Sequence, residues 1–285
     1  MKNIFCTIAA IPCLLFSARS LAQDSDTTAK KKKHHAITIS NRGFSIKTID
    51  STTPNSQVGK IKDTVEEKSR FNISYAMVDL GVNIISDNTN YADPAVKTFL
   101  NVPANRQNKS LFDLRTGKSI NVNIYPVMVK FTALKAKKQR IYISTGLGLQ
   151  LYNFRYESPL TYTKNPSSVT LDTITFKKDK LALDYLNVPL MFTFKTKLHK
   201  DTWLTYGVGI TEGYLIASWT KQESGQRGKV KLRDAFGLAN TNTCLSAEFG
   251  VEGIFRFFAS YQLTSLYQNG LDQHPISFGL RFGGI

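Results

Sequence analysis

Cysteine is scarce in this 285-residue chain: Cys6, Cys13 and Cys244 are all it has, and the first two stand in an N-terminal apolar run. Without that run Cys244 is alone, which excludes an intrachain disulfide and a cysteine-based zinc site. Long apolar stretches are missing too. Nothing beyond the N-terminus approaches the ~18 uninterrupted apolar residues of a membrane-spanning helix. Histidine is limited to His34, His35, His199 and His274, and none falls beside a strand-borne serine with an acidic orienter. No glycine-rich phosphate loop or metal-ligand spacing occurs, so no cofactor or metal is expected.

The N-terminus has the pattern of an exported protein. Lys2 precedes an apolar run from Ile4 to Phe16, and Ser20-Leu21-Ala22 supplies small residues where a signal peptidase reads. The expectation is a signal peptide over residues 1–22, cleaved between Ala22 and Gln23. Cys13 follows Ile11-Pro12 inside the run, which does not fit a lipid-anchored cysteine. The formal net charge is +16, and loss of Lys2 and Arg19 with the leader leaves +14. For an exported chain the fitting counter-charge is anionic lipopolysaccharide, not nucleic acid.

Residues 23–70 are polar and poor in aromatics. Lys30 to Lys33, followed by His34-His35, is the composition of a solvated linker. Within it, Ala36 to Ser40, Asn41-Arg42-Gly43 and Phe44 to Ile49 have the pattern of a short hairpin.

From Phe71 the texture changes to long alternating segments rich in Val, Ile, Leu, Tyr, Phe and Gly, with almost no 3.6-residue period. Eight are predicted: 75–85, 119–132, 140–152, 185–195, 202–218, 244–255, 257–266 and 276–282. Most reach the ~9–11 residues a tilted strand needs to cross a bilayer, where a globular strand averages about 5–6. The connections alternate between long and short, as in outer-membrane barrels with short periplasmic turns and long external loops. The predicted fold is all-β: an eight-stranded antiparallel up-and-down transmembrane β-barrel over residues 71–285, both termini periplasmic, behind a mostly disordered periplasmic segment.

The strand faces sort by chemistry. Ile141, Ile143, Leu147, Leu149 and Leu151 oppose Ser144, Gly146, Gly148 and Gln150; Phe278, Leu280 and Phe282 oppose Ser277, Gly279 and Arg281. An apolar face toward lipid and a polar one toward a crowded lumen fits. By this register Asp79, Glu248, Glu252 and Arg281 point inward as a structural ion network, with Asp79 and Arg281 paired across the closing strands, since buried charge needs a partner. Acid–base catalysis by the two glutamates is the weaker reading. Glu212 breaks the pattern, for its parity aims it at lipid; a bulge near Gly213 or a place at the interface would resolve it. Tyr125-Pro126 breaks the register of its strand and implies a bulge or a local loss of pairing. Tyr152, Phe154, Tyr156, Trp203, Trp219, Phe255, Phe257 and Phe258 are expected in interfacial girdles.

Three stretches together, Gly146 to Phe154 (GLGLQLYNF), Tyr185 to Leu190 (YLNVPL) and Tyr206 to Gly209 (YGVG) with Gly213-Tyr214-Leu215, resemble the PorT-like outer-membrane β-barrel proteins of Bacteroidetes, over about Phe71 to Ile285. The resemblance implies architecture, and for some relatives a part in type IX secretion or gliding; it brings no catalytic residues. This chain ends in Phe282-Gly-Gly-Ile285 where other outer-membrane barrels place a terminal aromatic.

The expectation is therefore a non-enzymatic integral outer-membrane protein with a structural, envelope-assembly or surface-interaction role. Its partners would be outer-membrane lipid, lipopolysaccharide and envelope proteins. Among the external basic residues, Lys229, Lys231 and Arg233 are candidates for lipopolysaccharide contact; the plainer alternative is a solvated loop surface. Two rival classes remain: a secreted soluble β-barrel holding a small apolar ligand, which would extract in buffer, and a lipid-modifying membrane enzyme.

Overall fold

The computed structural model describes the backbone of Lys33–Ser40 and Gly43–Asp50, and the chain over residues 70–199 and 201–283. The expected leader and residues 23–32, 41–42 and 51–69 of the expected linker lie outside the described residues. Strands β1 (Lys33–Ser40) and β2 (Gly43–Asp50) form a two-stranded sheet of their own.

With strands numbered along the whole chain, eight long ones carry it back and forth: β3 (Phe71–Asp87), β5 (Ile120–Lys135), β6 (Gln139–Arg155), β9 (Lys178–Lys197), β10 (Trp203–Ser224), β12 (Thr241–Val251), β13 (Phe255–Gln262) and β14 (Gln273–Phe282). Each pairs antiparallel with the next, and β14 pairs with β3, so the sheet closes on itself as an eight-stranded up-and-down barrel. Closure leaves no barrel strand with an open edge. Four short strands lie in the connections: β4 (Leu100–Asn101), β7 (Leu160–Thr163), β8 (Ser168–Leu171) and β11 (Gly228–Arg233).

At one end the turns are tight. Ala136 N–H donates to the Gln139 carbonyl (2.8 Å), Leu198 to Thr202 (2.9 Å) and Ile254 to Val251 (3.1 Å). The last of these differs from the sequence reading: the turn is Glu252–Ile254, and Arg256 belongs to β13. At the other end the strands outrun the sequence expectation. β9 starts at Lys178 and β10 reaches Ser224, because beyond the apolar band these strands alternate Lys, Asp, Gln and Glu, which carries no hydrophobic period.

The side chains sort as a membrane barrel requires. Outward-facing Leu147 is 61% exposed, Val208 56% and Phe249 52%, whereas inward-facing Asn121, Asn187 and Gln150 are at most 2% exposed. A water-soluble barrel would reverse these faces. This excludes the soluble apolar-ligand carrier, whose cavity would need those leucines and phenylalanines inside. Two bulges preserve the sorting. Ala76 (φ +53°) in β3 and Pro126 in β5 fall at the same level, where Tyr75 pairs with Val127 and Met77 with Tyr125. Each bulge resets parity: Ile73 and Tyr75 face out before Ala76 and Leu80 after it, while Met77 and Asp79 stay inside.

On β10, outward Tyr206 and Tyr214 stand about 20 Å apart along the barrel axis, at about 3.3 Å per residue and a tilt of about 40°. Glu212 lies just inside the upper of these rings. It is exposed, in unbroken register with Val188 and Thr243, and accepts a bond from Thr243 Oγ1 (3.0 Å). Of the two resolutions open to the sequence, no bulge falls at Gly213; the register shift comes later, between Leu215 and Ala217. Glu212 therefore sits at the border.

The expected girdle needs correction. Tyr152, Phe154, Tyr156, Trp203 and Phe258 are buried inside the barrel or its loop end; of the rest, Phe255 and Phe257 are exposed on the outer face and Trp219 is half-buried there. Clustering near strand ends was read correctly, but inward parity sends most of these rings to the interior.

Val208→Arg tests the outward face. Placed mid-bilayer, the cation is expected to destabilise the barrel by about 2–4 kcal/mol in vesicles, measured by urea unfolding. An unchanged midpoint would show that water, not hydrocarbon, covers this face.

Candidate functional site

Charged and amide side chains are buried in the centre of the barrel. Asp79 on β3 and Arg281 on β14 are register partners across the closing pair. Arg281 Nε donates to Asp79 Oδ1 (2.7 Å), Nη2 to Asp79 Oδ2 (2.9 Å) and Nη1 to Glu248 Oε2 (2.8 Å). Glu248 Oε1 accepts from Thr193 on β9 (2.6 Å), and Asn123 Nδ2 on β5 donates to Asp79 Oδ2 (3.3 Å). The guanidinium grips Asp79 in a two-bond fork and Glu248 by a single bond, linking β14 to β3 and β12, and Glu248 carries the link on to β9.

Glu252 stands apart from this cluster. Its parity matches Glu248, but β12 ends at Val251, and in the turn Glu252 bonds Lys195 Nζ (2.7 Å) instead. Arg256, assigned to the turn by sequence, lies 4.0 Å from Glu248 Oε2. A cavity of about 200 Å³ lined by Lys195, Glu252, Arg256 and Arg281 opens beside them at the short-turn end.

Above the ions, amides fill the centre. Asn242 Nδ2 donates to Gln150 Oε1 (3.1 Å), and Ser277 Oγ to Asn83 Oδ1 (2.6 Å). Gly148 is required by this crowding: a β-carbon there would lie 2.5 Å from both the Tyr125 ring and Asn187 Oδ1.

The loop end is a second core, which the sequence reading missed. α1 (Pro94–Phe99) begins at Asp93, whose carboxylate accepts from Ala95 N–H (2.7 Å). The signal was present in Asp93-Pro94, an N-cap with proline at the first helical position, and in Val96 and Phe99 three apart on one face. β4, β7 and β8 form a small sheet beside it. Val96, Phe99, Leu111, Phe112, Val169 and Phe236 from the loops pack on Tyr152, Phe154, Leu181, Leu183 and Tyr185 from the barrel, all buried. A tyrosine chain threads this core: Tyr156 and Tyr162 hydroxyls meet at 2.9 Å, Tyr162 and Tyr267 at 2.7 Å. Burial pushes the Tyr156 and Tyr162 phenols well above their ordinary range and Tyr267 up to about 12. The three stay neutral and serve as structural hydrogen-bonding groups. Gln222 Nε2 bonds the Leu160 carbonyl (2.9 Å) and Arg227 pairs with Asp172 (2.5 Å), tying this core to the β10–β11 hairpin.

Lys229, Lys231 and Arg233 occupy alternate positions of β11 and are exposed, opposite Glu223, Lys221 and Trp219 of β10. Lys231 Nζ sits 4.5 Å from the centre of the Trp219 ring. Among the described residues no group of three or more His, Cys, Asp or Glu side chains is placed to hold a metal. His274 meets Asp272 Oδ1 at 2.8 Å and the Gln262 carbonyl at 3.0 Å, so neither ring nitrogen is directed at a hydroxyl.

No family model matches the chain, and no curated protein does. Among solved structures it is similar to Ail, the attachment invasion locus protein of Yersinia pestis. Identity is 9% with a TM-score of 0.26, over 74% of this chain and 98% of that one. For Ail in complex with the heparin analogue sucrose octasulfate the values are 10% and 0.28, at the same coverage. A likeness this low carries no argument about role; the barrel rests on its own closed ring of hydrogen bonds.

Arg281→Met strands Asp79 without its charge partner and is expected to destabilise the folded barrel by about 3–5 kcal/mol, with much of the loss recovered on adding Asp79→Asn. Denaturant unfolding in detergent micelles reads both, and an unperturbed single variant would contradict the bracing role. Tyr162→Phe removes both links of the tyrosine chain. It should weaken the loop core by about 1–3 kcal/mol, seen as faster amide exchange in residues 94–112 and 156–171, with the barrel strands unaffected.

Proposed function

We propose that this chain is an integral outer-membrane β-barrel protein with no catalytic role, acting as a scaffold or interaction platform of the cell envelope. One observation carries the reading: the barrel is apolar outside and filled inside, while its loop end is folded into a core of its own. A lumen barred by Arg281 and packed with amides is unsuited to general diffusion. A rigid loop end is suited to presenting a fixed surface, because ordering the loops on binding would cost nothing further.

On this reading both ends of the barrel sequence, the start of β3 and the end of β14, lie with the short turns on the periplasmic side, and the loop core faces outward. The likeness of Gly146–Phe154 and Tyr185–Leu190 to PorT-like proteins of Bacteroidetes supports a place in envelope assembly, with type IX secretion or gliding as the processes to examine first. Lys229, Lys231 and Arg233 are the proposed lipopolysaccharide contacts on the exposed hairpin. The lipid-modifying enzyme finds no support in the placement of His274.

Single-cysteine labelling tests both membrane and orientation, since native Cys244 is buried. In intact cells, Lys229→Cys should react with a membrane-impermeant maleimide, and Lys138→Cys should react only after permeabilisation. The protein should leave the outer-membrane fraction only in detergent. Reversed labelling would refute the orientation, and release into buffer would refute the membrane assignment.

A further inference from the structure

The outer wall changes chemistry abruptly beyond Trp219. The register shift between Leu215 and Ala217 resets the parity of β10, so that Trp219, Lys221 and Glu223 share the outer face while Thr220 is buried. Hydrogen-bond register then aligns a row across four adjacent strands: Arg155 opposite Lys180, Lys180 opposite Lys221, and Lys221 opposite Lys231. Like charges placed directly opposite one another destabilise a sheet, yet four cations follow in succession.

Their present partners neutralise the row only in part: Asp184 on the same face of β9 lies near Lys180 and Lys231, and Asp179 near Arg155. Lys180 Nζ bonds the neutral Asn153 Oδ1 (2.5 Å), Arg155 Nη2 the Lys177 carbonyl (3.4 Å), and Lys231 lies over Trp219. Lys221 has a carboxylate, Glu223 (3.1 Å), but the next row flanks Glu223 with Lys178 and Lys229. The opposite side of the barrel lacks this character: at the loop end β3 and β14 pair Ser86 with His274, beside Asp272. A cationic stripe on one sector, at a cost in sheet stability, is the arrangement expected of a site whose ligand supplies the missing negative charge.

Position specifies the ligand. On the outer face of β10 Trp219 lies beyond the Tyr214 ring, and Lys221, seven residues past Tyr214 with one bulge between, stands about 15 Å further along the axis. That is the height of a glycolipid's phosphorylated head-group sugars, above the hydrocarbon border. Three strand spacings of about 4.8 Å make the row about 14 Å long, enough to engage two phosphates at once. We propose that Arg155, Lys180, Lys221 and Lys231 form a binding site for the phosphates of a membrane-resident lipid, a multiply phosphorylated glycolipid of the outer leaflet, held against this one sector. The site shares with the hairpin cluster only Lys231, and it rests on the outer-membrane reading above.

The test uses the full chain in phosphatidylcholine nanodiscs doped with lipopolysaccharide bearing a phosphorylated core or with its dephosphorylated form, lipid retention being counted by native mass spectrometry. Wild-type protein should retain the phosphorylated form at least about tenfold better, and Lys180→Gln/Lys221→Gln/Lys231→Gln should abolish the preference. Lys231→Glu alone, at an exposed position, is a second variant and should lower retention by about threefold or more. Lys135→Gln/Lys137→Gln at the short-turn end should leave it unchanged. Equal retention of both lipids by inserted wild-type protein overturns this proposal alone. Complete displacement by millimolar inorganic phosphate reassigns the row to free phosphate and also overturns it. Failure of wild-type protein to enter a bilayer overturns the outer-membrane reading, and this proposal with it.

Discussion

Backbone hydrogen bonding in hydrocarbon is the constraint on which everything else in this molecule depends. A lipid bilayer offers no water to an unpaired N–H or C=O, so a sheet crosses it only when closed. Pairing of β14 with β3 completes the ring, and closure fixes the rest: eight strands leave an interior too narrow for a channel, so inward side chains must fill it. The ion cluster, the amide layer and the glycine at position 148 are three answers to that single requirement.

The loop end answers a different one. Above the bilayer water is available and loops need not fold, yet α1, the small β4–β8–β7 sheet and the tyrosine chain bury a second apolar core against the tops of β6 and β9. The molecule thus joins two packings of opposite sense along the same strands, apolar outside below and apolar inside above. Parity resets at Ala76, Pro126 and between Leu215 and Ala217 adjust which residues face where along the strands.

Much of the barrel was legible in sequence because period-two alternation is local: Ile141 to Leu151 and Ile276 to Phe282 reveal their faces without any knowledge of neighbours. The inward aim of Asp79 and Arg281 followed from the same alternation. What stayed hidden depends on register between strands. The opposition of Arg155, Lys180, Lys221 and Lys231 joins residues from four segments whose alignment is set by turn geometry and by one bulge, neither written in composition. Glu252 was grouped with Glu248 because parity continues on paper where the strand has already ended. The aromatic girdle failed likewise, since nearness to a strand end does not reveal which side a ring takes.

The salt bridge between Asp79 and Arg281 joins residues 202 positions apart in the chain. It latches the first barrel strand to the last, so it forms only when the cylinder shuts. Until then Asp79 faces an unfinished interior with its charge uncompensated, and contacts of such long range are slow to arrive. An interrupted or mis-registered assembly therefore bears an electrostatic mark of incompleteness, one erased by the same event that makes the wall continuous.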